Sequence, residues 1–449
     1  MGKQKHNTSD IGQLSALVDN GTRVQISQML DALHPSEIAR LLESLPPAKR
    51  NLVWQLTDTD DEGEVLVELN EEVRARLIDD MDTEEVVAAT EGMEIDDLAD
   101  LVADLPEDIT QQVLRSLNMR DRKRLKSVMA WPEDSAGGLM NPDAVSVRPN
   151  VSVDVVLRYT RMLGKLPDNT ASIFVVDQYN RYMGTVLLSR LVTSEPTALV
   201  SDILDEEAKA IPVTATDDEV AQAFQDLDMV TAAVIDKDGR LLGQITVDDV
   251  VDVIQEQADH DILSMAGLDE EDDMFAPVVA SSRRRAIWLG VNLATAFLAA
   301  AVVGMFQPTL EKVVILAVLM PVVASMGGIA GTQTLTLMIR GLALGRVQDS
   351  NARWLLTKEI LVAVLNGLFW AAVVAGVTML FFADWKVGAI IAAAMIINLL
   401  AAAFAGFVIP LALRRMNIDP ALAGGVVLTT ITDVTGFVAF LGLGTLFLL

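Results

Sequence analysis

The chain has 449 residues, with 62 Asp and Glu against 34 Lys and Arg, a formal net charge of −28 and no cysteine. That length suits two to four domains, and the lack of thiols excludes disulfides and thiolate metal sites, as fits a reducing compartment. The charge is uneven: Met1 to Ser282 carries a net −33 and Arg283 to Leu449 a net +5, so an acidic soluble part precedes a membrane part, and no nucleic-acid partner is expected.

The first ten residues are polar and lack the apolar core of a secretory signal, so the acidic part is expected to stay in the cytoplasm. Residues 1–130 read as short amphipathic helices between polar turns. Within them "SEIARLLESLPPAKRNLVWQL" and "DDLADLVADLPEDITQQVLRSL" align at a constant offset of 60, pairing Ile38 with Leu98, Leu41 with Leu101, Leu45-Pro46 with Leu105-Pro106 and Val53 with Val113. Helix pairs repeated in this way stack into a superhelix; an irregular helical domain is the plainer alternative.

A second repeat spans 141–260. "IFVVDQYNRYMGTVLL" and "AAVIDKDGRLLGQITV" both read as strand, turn, strand, turning at Asn180 in one and Asp238-Gly239 in the other. Asp177 and Gly184 recur 59 residues later as Asp236 and Gly243. Each hairpin is followed by a helix, "SRLVTSEP" in the first copy and "DDVVDVIQEQADHDIL" in the second. The pattern resembles a tandem pair of CBS domains, small α/β modules that sense ligands.

Apolar runs over 286–306, 313–344, 356–383, 387–413 and 420–449 are each long enough for a spanning helix, which needs about 20 residues. Arg283, Arg284, Arg285, Arg340, Arg346, Arg353, Lys358, Arg414 and Arg415 fall on one side of these five spans, against Lys312 and Lys386 on the other. That bias puts the acidic region in the cytoplasm and the C-terminus outside. The second span, "MPVVASMGGIAGTQTLT", is expected to be interrupted: Pro321 removes a helix donor, and Gly327, Gly328 and Gly331 allow close approach to backbone carbonyls. Asn292, Asn366 and Asn398 place one amide in each of three other spans and are read as interhelical hydrogen bonders.

In the last span, Asp419 is a good helix cap and Pro420 a good first residue. Asp433 lies deep inside it, where a carboxylate facing lipid costs roughly 2.5 to 3.5 kcal/mol. Gly425, Thr429 and Gly436 share its stripe at spacings of three and four, so the Asp face is small and polar. Either Asp433 anchors one helix to another, or it faces a water-filled path and attracts cations. On the second reading a symmetric dimer would present two copies on its axis. Two carboxylates with carbonyl and hydroxyl oxygens suit a hard cation, and a wide polar ring suits Mg²⁺ with its waters kept. Catalysis is not expected: there is no P-loop, zinc motif or nucleophile elbow, and His6, His34 and His260 are far apart in sequence.

The order of parts, with the linker "WPEDSAGGLM", the helix "VDDVVDVIQEQADHDILSMAGL" at 247–268 and the ending "DPALAGGVVLTTITDVTGF", resembles the MgtE family of magnesium channels over essentially the whole chain. The resemblance implies 1–130 as an acidic all-α superhelical domain, 131–200 as linker and first CBS domain, 201–246 as second CBS domain, 247–268 as a connecting "plug" helix and 283–449 as an all-α membrane domain of five helices. It also implies a multi-pass homodimer of the plasma membrane with a pore lined by the second and fifth spans, where Asp433 holds Mg²⁺ beside the backbone at Gly328. Regulatory Mg²⁺ would bridge Asp96 with Asp249 and Asp228 with Asp252, with Asp218 as a further ligand, and lock the plug helix against the pore; read from charge alone, all five are a solvated acidic face. Gln257 and His260 stand where family plug helices often carry acids, Ile329 where Asn is common, and Gly425-Val426 where Asn-Pro or Gly-Pro is common. Thr246 and Asp249 have the spacing with which CBS domains hold a ribose, and the first module has Leu187 and Arg190 instead, so ATP or a related nucleotide is a candidate second regulator. The rival readings are an antiporter or transporter of other divalent cations and a membrane-anchored sensor that moves no ions.

Overall fold

The computed structural model describes residues 11–167, 169–268, 273–348, 350–416 and 418–449. The chain opens with ten short helices: α1 (Ile11–Asn20), α2 (Arg23–Leu30), α3 (Pro35–Glu43), α4 (Pro47–Trp54), α5 (Glu62–Val67), α6 (Glu71–Asp80), α7 (Thr83–Ala89), α8 (Ile95–Ala103), α9 (Glu107–Ser116) and α10 (Met119–Val128). They are short because the sequence keeps restarting them. Asn70, Asp82 and Asn118 each accept first-turn N–H groups from the helix they precede, and Pro35 and Pro47 open α3 and α4. The offset of 60 survives in space: α3 and α4 correspond to α8 and α9, and the paired aliphatic side chains named above are all buried.

Two modules follow. The first comprises β1 (Ser146–Val147), α11 (Val153–Leu163), β2 (Ser172–Val176), β3 (Tyr182–Leu187), α12 (Leu188–Thr193) and α13 (Val200–Ile203). The second comprises β4 (Ile211–Pro212), α14 (Asp217–Leu227), β5 (Thr231–Ile235), β6 (Leu241–Thr246) and α15 (Val247–Ser264). In each, a short parallel strand pairs with the first strand of an antiparallel hairpin, and the two hairpins match residue for residue at an offset of 59. The recurring Asp shapes the turn: Asp177 accepts from the N–H groups of Tyr179 and Arg181, and Asp236 from those of Asp238 and Arg240, all at 2.8 Å. The recurring Gly makes room for a crossing chain. A Cβ on Gly184 would sit 2.2 Å from the Asp205 carbonyl, and one on Gly243 2.6 Å from that of Asn141. The modules meet turn to turn with approximate two-fold symmetry, Tyr182 N–H donating to Gly239 and Leu241 N–H to Asn180, both at 2.9 Å. The second module shares one hydrophobic core with the N-terminal helices, whereas the first has its own. Helix α15 ends at Ser264, four residues short of the expected limit, in a turn through Gly267 at φ +69.

The rest is helical: α16 (Val278–Gly304), α17 (Gln307–Lys312), α18 (Val314–Ala343), α19 (Ala352–Phe382), α20 (Trp385–Arg415) and α21 (Pro420–Leu448). All but α17 are long and apolar enough to cross a membrane. Helix α20 is central, packing against α18, α19 and α21, and α16 packs on α21. Helix α18 is not interrupted; it runs through Pro321 and its three glycines without a break. Pro321 removes one backbone donor, which a membrane helix tolerates, and Gly327 and Gly331 are used for tight packing against Asn398 and Leu428. The chain forms two compact units, one holding the described residues up to 257 with 273–277, the other 258–268 with 278–449. Helix α15 passes from one to the other unbroken.

Candidate functional site

The first unit contains a joint crowded with carboxylates. Asp96, Asp97 and Asp100 come from the first two turns of α8, and Asp248, Asp249 and Asp252 from those of α15. The charge of Asp249 acts on all three α8 residues. Burial, then the neighbouring charges of Asp249, Asp97 and Glu94, push Asp96 up to about 9. Burial and nearby acids likewise push Asp97 and Asp100 to about 7, although Arg74 pulls Asp100 back. Asp249 is raised by burial to about 6 against the opposing hydrogen bonds of Thr246, and Asp252 is raised by burial, Glu68 and Asp248. Asn141, 3 % exposed, donates from Nδ2 to Glu94 at 2.5 Å and to Asp96 at 3.2 Å, and its backbone is paired both ways with Gln244. Asp96, Asp97 and Asp249 are half-buried while Asp100, Asp248 and Asp252 reach solvent, and so many carboxylates crowded at one joint favour either protons or a bound cation.

Of the residues expected to bridge this joint, the structure brings Asp96 and Asp249 together, with Asp252 close enough to act on Asp249. Asp228 closes α14 in the left-handed conformation at φ 50, Asp218 lies in the first turn of α14, and the charges acting on Asp252 are those of Glu68 and Asp248. Among the described residues no three acidic or imidazole groups stand close enough to hold a bare ion. Glu68, Asp97, Asp100 and Asn141 escaped the sequence reading. The "DDLAD" spacing of three and four, which puts acids on one helix face, was the available signal for Asp97 and Asp100.

Thr246 donates to Asp249 Oδ2 from its N–H at 3.0 Å and from its hydroxyl at 2.9 Å. Thr246 immediately precedes α15, so the same spacing that suits a ribose also works as a helix cap. Leu187 and Arg190 in the first module offer no such pair.

The second unit holds the intramembrane carboxylate. Asp433 is half-buried in α21; Thr429 is exposed one turn before it, its hydroxyl donating to the Gly425 carbonyl at 2.9 Å. Gly425 and Gly328 face open space, a Cβ at either meeting nothing within 4 Å. Gly436, the fourth member of the stripe, is packed instead, against Asn398 and Val323. Asn398, 1 % exposed, donates to the Val323 carbonyl at 2.8 Å and so ties α20 to α18 beside α21, as expected of it. Asn292 and Asn366 lie exposed on the outer face of the chain, without such a bond among the described residues. Two further features were not foreseen. Glu359 is buried in α19 with the Lys358 ammonium at 2.8 Å, and His260 lies 3.3 Å from Asp419, which caps α21 through the N–H groups of Ala421 and Leu422.

Comparison with known proteins covers the same ground. A divalent cation transporter family matches residues 320–443, the MgtE intracellular N domain matches 33–134 and the CBS domain matches 200–256. The magnesium transporter MgtE of Thermus thermophilus is 30 % identical over 438 residues, 96 % of this chain and 97 % of that protein. That of Bacillus subtilis is 24 % identical over 432 residues, 96 % of each. The crystal structure of the cytosolic domain of the Mg²⁺ channel MgtE in complex with ATP is similar at a TM-score of 0.50 and 29 % identity, covering 54 % of this chain and 100 % of that one. The likeness thus runs from the helical repeat to the last membrane helix and takes in nearly all of the Thermus relative: the chain belongs to the MgtE family of divalent cation transporters.

Proposed function

We propose that the chain is a magnesium channel for uptake across the plasma membrane, working as a homodimer and closing when cytoplasmic Mg²⁺ binds its acidic joint. The observation that carries this reading is the crowd of carboxylates that α8 and α15 bring together beside the buried Asn141, four of them, partly shielded or crowded, pushed up to between about 6 and 9. Such a cluster holds far more negative than positive charge. Bound Mg²⁺ would supply it, and because the side chains do not converge on a bare ion, a cation that keeps some of its waters fits best. Asp96, Asp97, Asp100 and Asp249 would hold it, drawing α8 and α15 together; without it their repulsion opposes closure.

In the membrane, Asp433 provides the charge of the path, with the open faces of Gly328 and Gly425 and the exposed Thr429 hydroxyl beside it. An inside-negative potential of 100 mV favours inflow of a divalent ion by about 4.6 kcal/mol, so uptake needs no ATP hydrolysis. The distribution of Arg supports cytoplasmic N-terminal domains and an external C-terminus. A nucleotide such as ATP, seen with the cytosolic domain of a relative, would meet Thr246 and Asp249. Asp249 also serves the acidic joint, so nucleotide and Mg²⁺ would compete for one carboxylate.

Flux into liposomes tests the reading. Asp433→Ala should abolish Mg²⁺ uptake while leaving the protein folded, and Asp433→Asn should be nearly as damaging because it keeps the shape and loses the charge. Parent-like flux from either variant would refute the pore assignment. Movement of Mg²⁺ against its gradient would favour an antiporter instead.

A further inference from the structure

Arg50, in α4, is 1 % exposed. A guanidinium so placed must find partners for its N–H groups inside the protein. Its Nε donates to the Leu42 carbonyl at 2.9 Å, and its two terminal nitrogens donate to the two carboxylate oxygens of Asp273 at 2.9 and 3.1 Å. Asp273, 5 % exposed, also accepts from Arg76 of α6 at 2.9 Å and from the Phe275 N–H at 2.8 Å. Its own N–H donates to Glu72 at 2.7 Å, and Glu72 in turn pairs with Arg76. Burial pushes the Asp273 carboxyl up, but the hydrogen bonds of Arg50 and Phe275 and the charges of Arg50 and Arg76 hold it below the ordinary carboxylate range. In sequence Asp273 is the last of the acidic run "DEEDD", with nothing to distinguish it from a solvated residue.

Asp273 lies in the stretch that leads into the membrane, five residues before α16 begins at Val278. We propose that Arg50 and Arg76 clamp Asp273 so that the N-terminal helical domain holds the chain just before its first membrane helix, giving that domain a grip on α16 separate from α15. The inference rests on the gated-channel reading. Five residues span at most about 18 Å when fully extended. A larger displacement of the helical domain must therefore either pull α16 or break the clamp, and separating a buried, doubly hydrogen-bonded pair strands charge on both sides. The clamp adds its own preference for the compact arrangement to that of the ions at the acidic joint.

The test uses the full-length chain in liposomes with Asp273→Asn, Arg50→Gln and Arg50→Lys, the last keeping the charge but losing the two-pronged geometry. Arg76→Gln, which removes one of the bonds to Asp273 and the pair with Glu72 but leaves the two-pronged Arg50 contact, is a milder variant should the others fail to fold. Chymotryptic cleavage at Phe275 reads the clamp, and the cytoplasmic Mg²⁺ concentration that halves flux reads the coupling. Cleavage is expected to accelerate most in Asp273→Asn and Arg50→Gln, less in Arg50→Lys and least in Arg76→Gln. The closing concentration should rise in the same order, roughly tenfold for the first two, with flux at low Mg²⁺ unchanged. Unchanged cleavage in Asp273→Asn overturns the clamp. Faster cleavage at an unshifted closing concentration reduces it to a local staple and overturns the coupling. A parent chain that moves no Mg²⁺ refutes the channel reading and the coupling with it, while cleavage still reports whether Asp273 is held.

Discussion

A methyl group added at Gly327 would meet the amide of Asn398 at 2.2 Å, whereas one added at Gly328 would meet nothing within 4 Å. Adjacent glycines therefore serve opposite purposes, one packing helices and the other leaving a face open. Gly436 and Gly425 divide in the same way in α21. Gly327→Ala and Gly436→Ala should each lower stability by about 1 to 3 kcal/mol, the usual cost of overpacking, and Gly328→Ala and Gly425→Ala should melt like the parent in detergent while altering flux. A uniform response of all four to thermal denaturation would contradict this division. The sequence shows "MGG" but not which glycine packs, because the partner that decides it, Asn398, is far along the chain on α20. Asn398 itself was legible as an amide in an apolar span, since hydrocarbon leaves such a group needing an acceptor. Asn292 and Asn366 were indistinguishable from it by that argument, and only the packing separates them.

At the scale of elements, the caps and repeats were legible and the joint between them was not. The offsets of 60 and 59 carry over from sequence to helix pairs and hairpins because each repeat writes its own local signals, aliphatic stripes in one and turn-forming Asp and Gly in the other. That α8 approaches the start of α15 is a tertiary fact, and most of the acids involved look like any other in so acidic a chain. The joint should respond to pH. Asp96, Asp97, Asp100 and Asp249 are all raised from an ordinary value of 3.8, so the compact form binds protons more tightly than an opened one. Its stability without metal is then fullest below about pH 4 and is lost as pH rises through the span from about 6 to 9. In EDTA, small-angle scattering of the soluble region should show a more compact particle at pH 6 than at pH 9, and saturating Mg²⁺ should flatten the difference. The opposite trend would mean that these carboxylates are not crowded together in solution.

For the whole molecule, the acidic excess makes compaction depend on the valence of the cation. Mg²⁺ should protect the region before α16 from protease, while NaCl at equal ionic strength screens repulsion without bridging carboxylates; equal protection by both would leave screening as the explanation. On the proposed reading, closure of the gate would add contributions from several sites, since no single carboxylate is expected to supply the roughly 5.5 kcal/mol that carries a gate from 1:99 to 99:1. Asp96→Asn or Asp249→Asn should thus raise the closing Mg²⁺ concentration roughly fivefold or more, with a smaller shift for Asp228→Asn because the charges acting on Asp252 are those of Glu68 and Asp248. Flux at rising internal Mg²⁺ checks the ranking, and an Asp228 effect equal to that of Asp96 would overturn it. The division of the chain into acidic and apolar parts could be read from composition alone. That the second CBS module shares its core with the helical domain while the first stands apart could not, because two modules built on one repeat carry the same local pattern.

Helix α15 crosses from one compact unit to the other between Gln257 and Ala258, and around that point Gln255, Glu256, Ala258 and Asp259 are exposed. Few side chains are buried there to keep the turns wound, and a short solvated stretch of helix is marginal by itself. If the proposed gating runs through α15, its middle would act as a mechanical fuse: it would transmit torque only while its backbone hydrogen bonds last, and ion-binding energy beyond what unwinds those turns would be dissipated in melting them. Fast amide exchange confined to the middle of α15, and further weakening of the gate's response by Gln257→Gly, would be the marks of that limit.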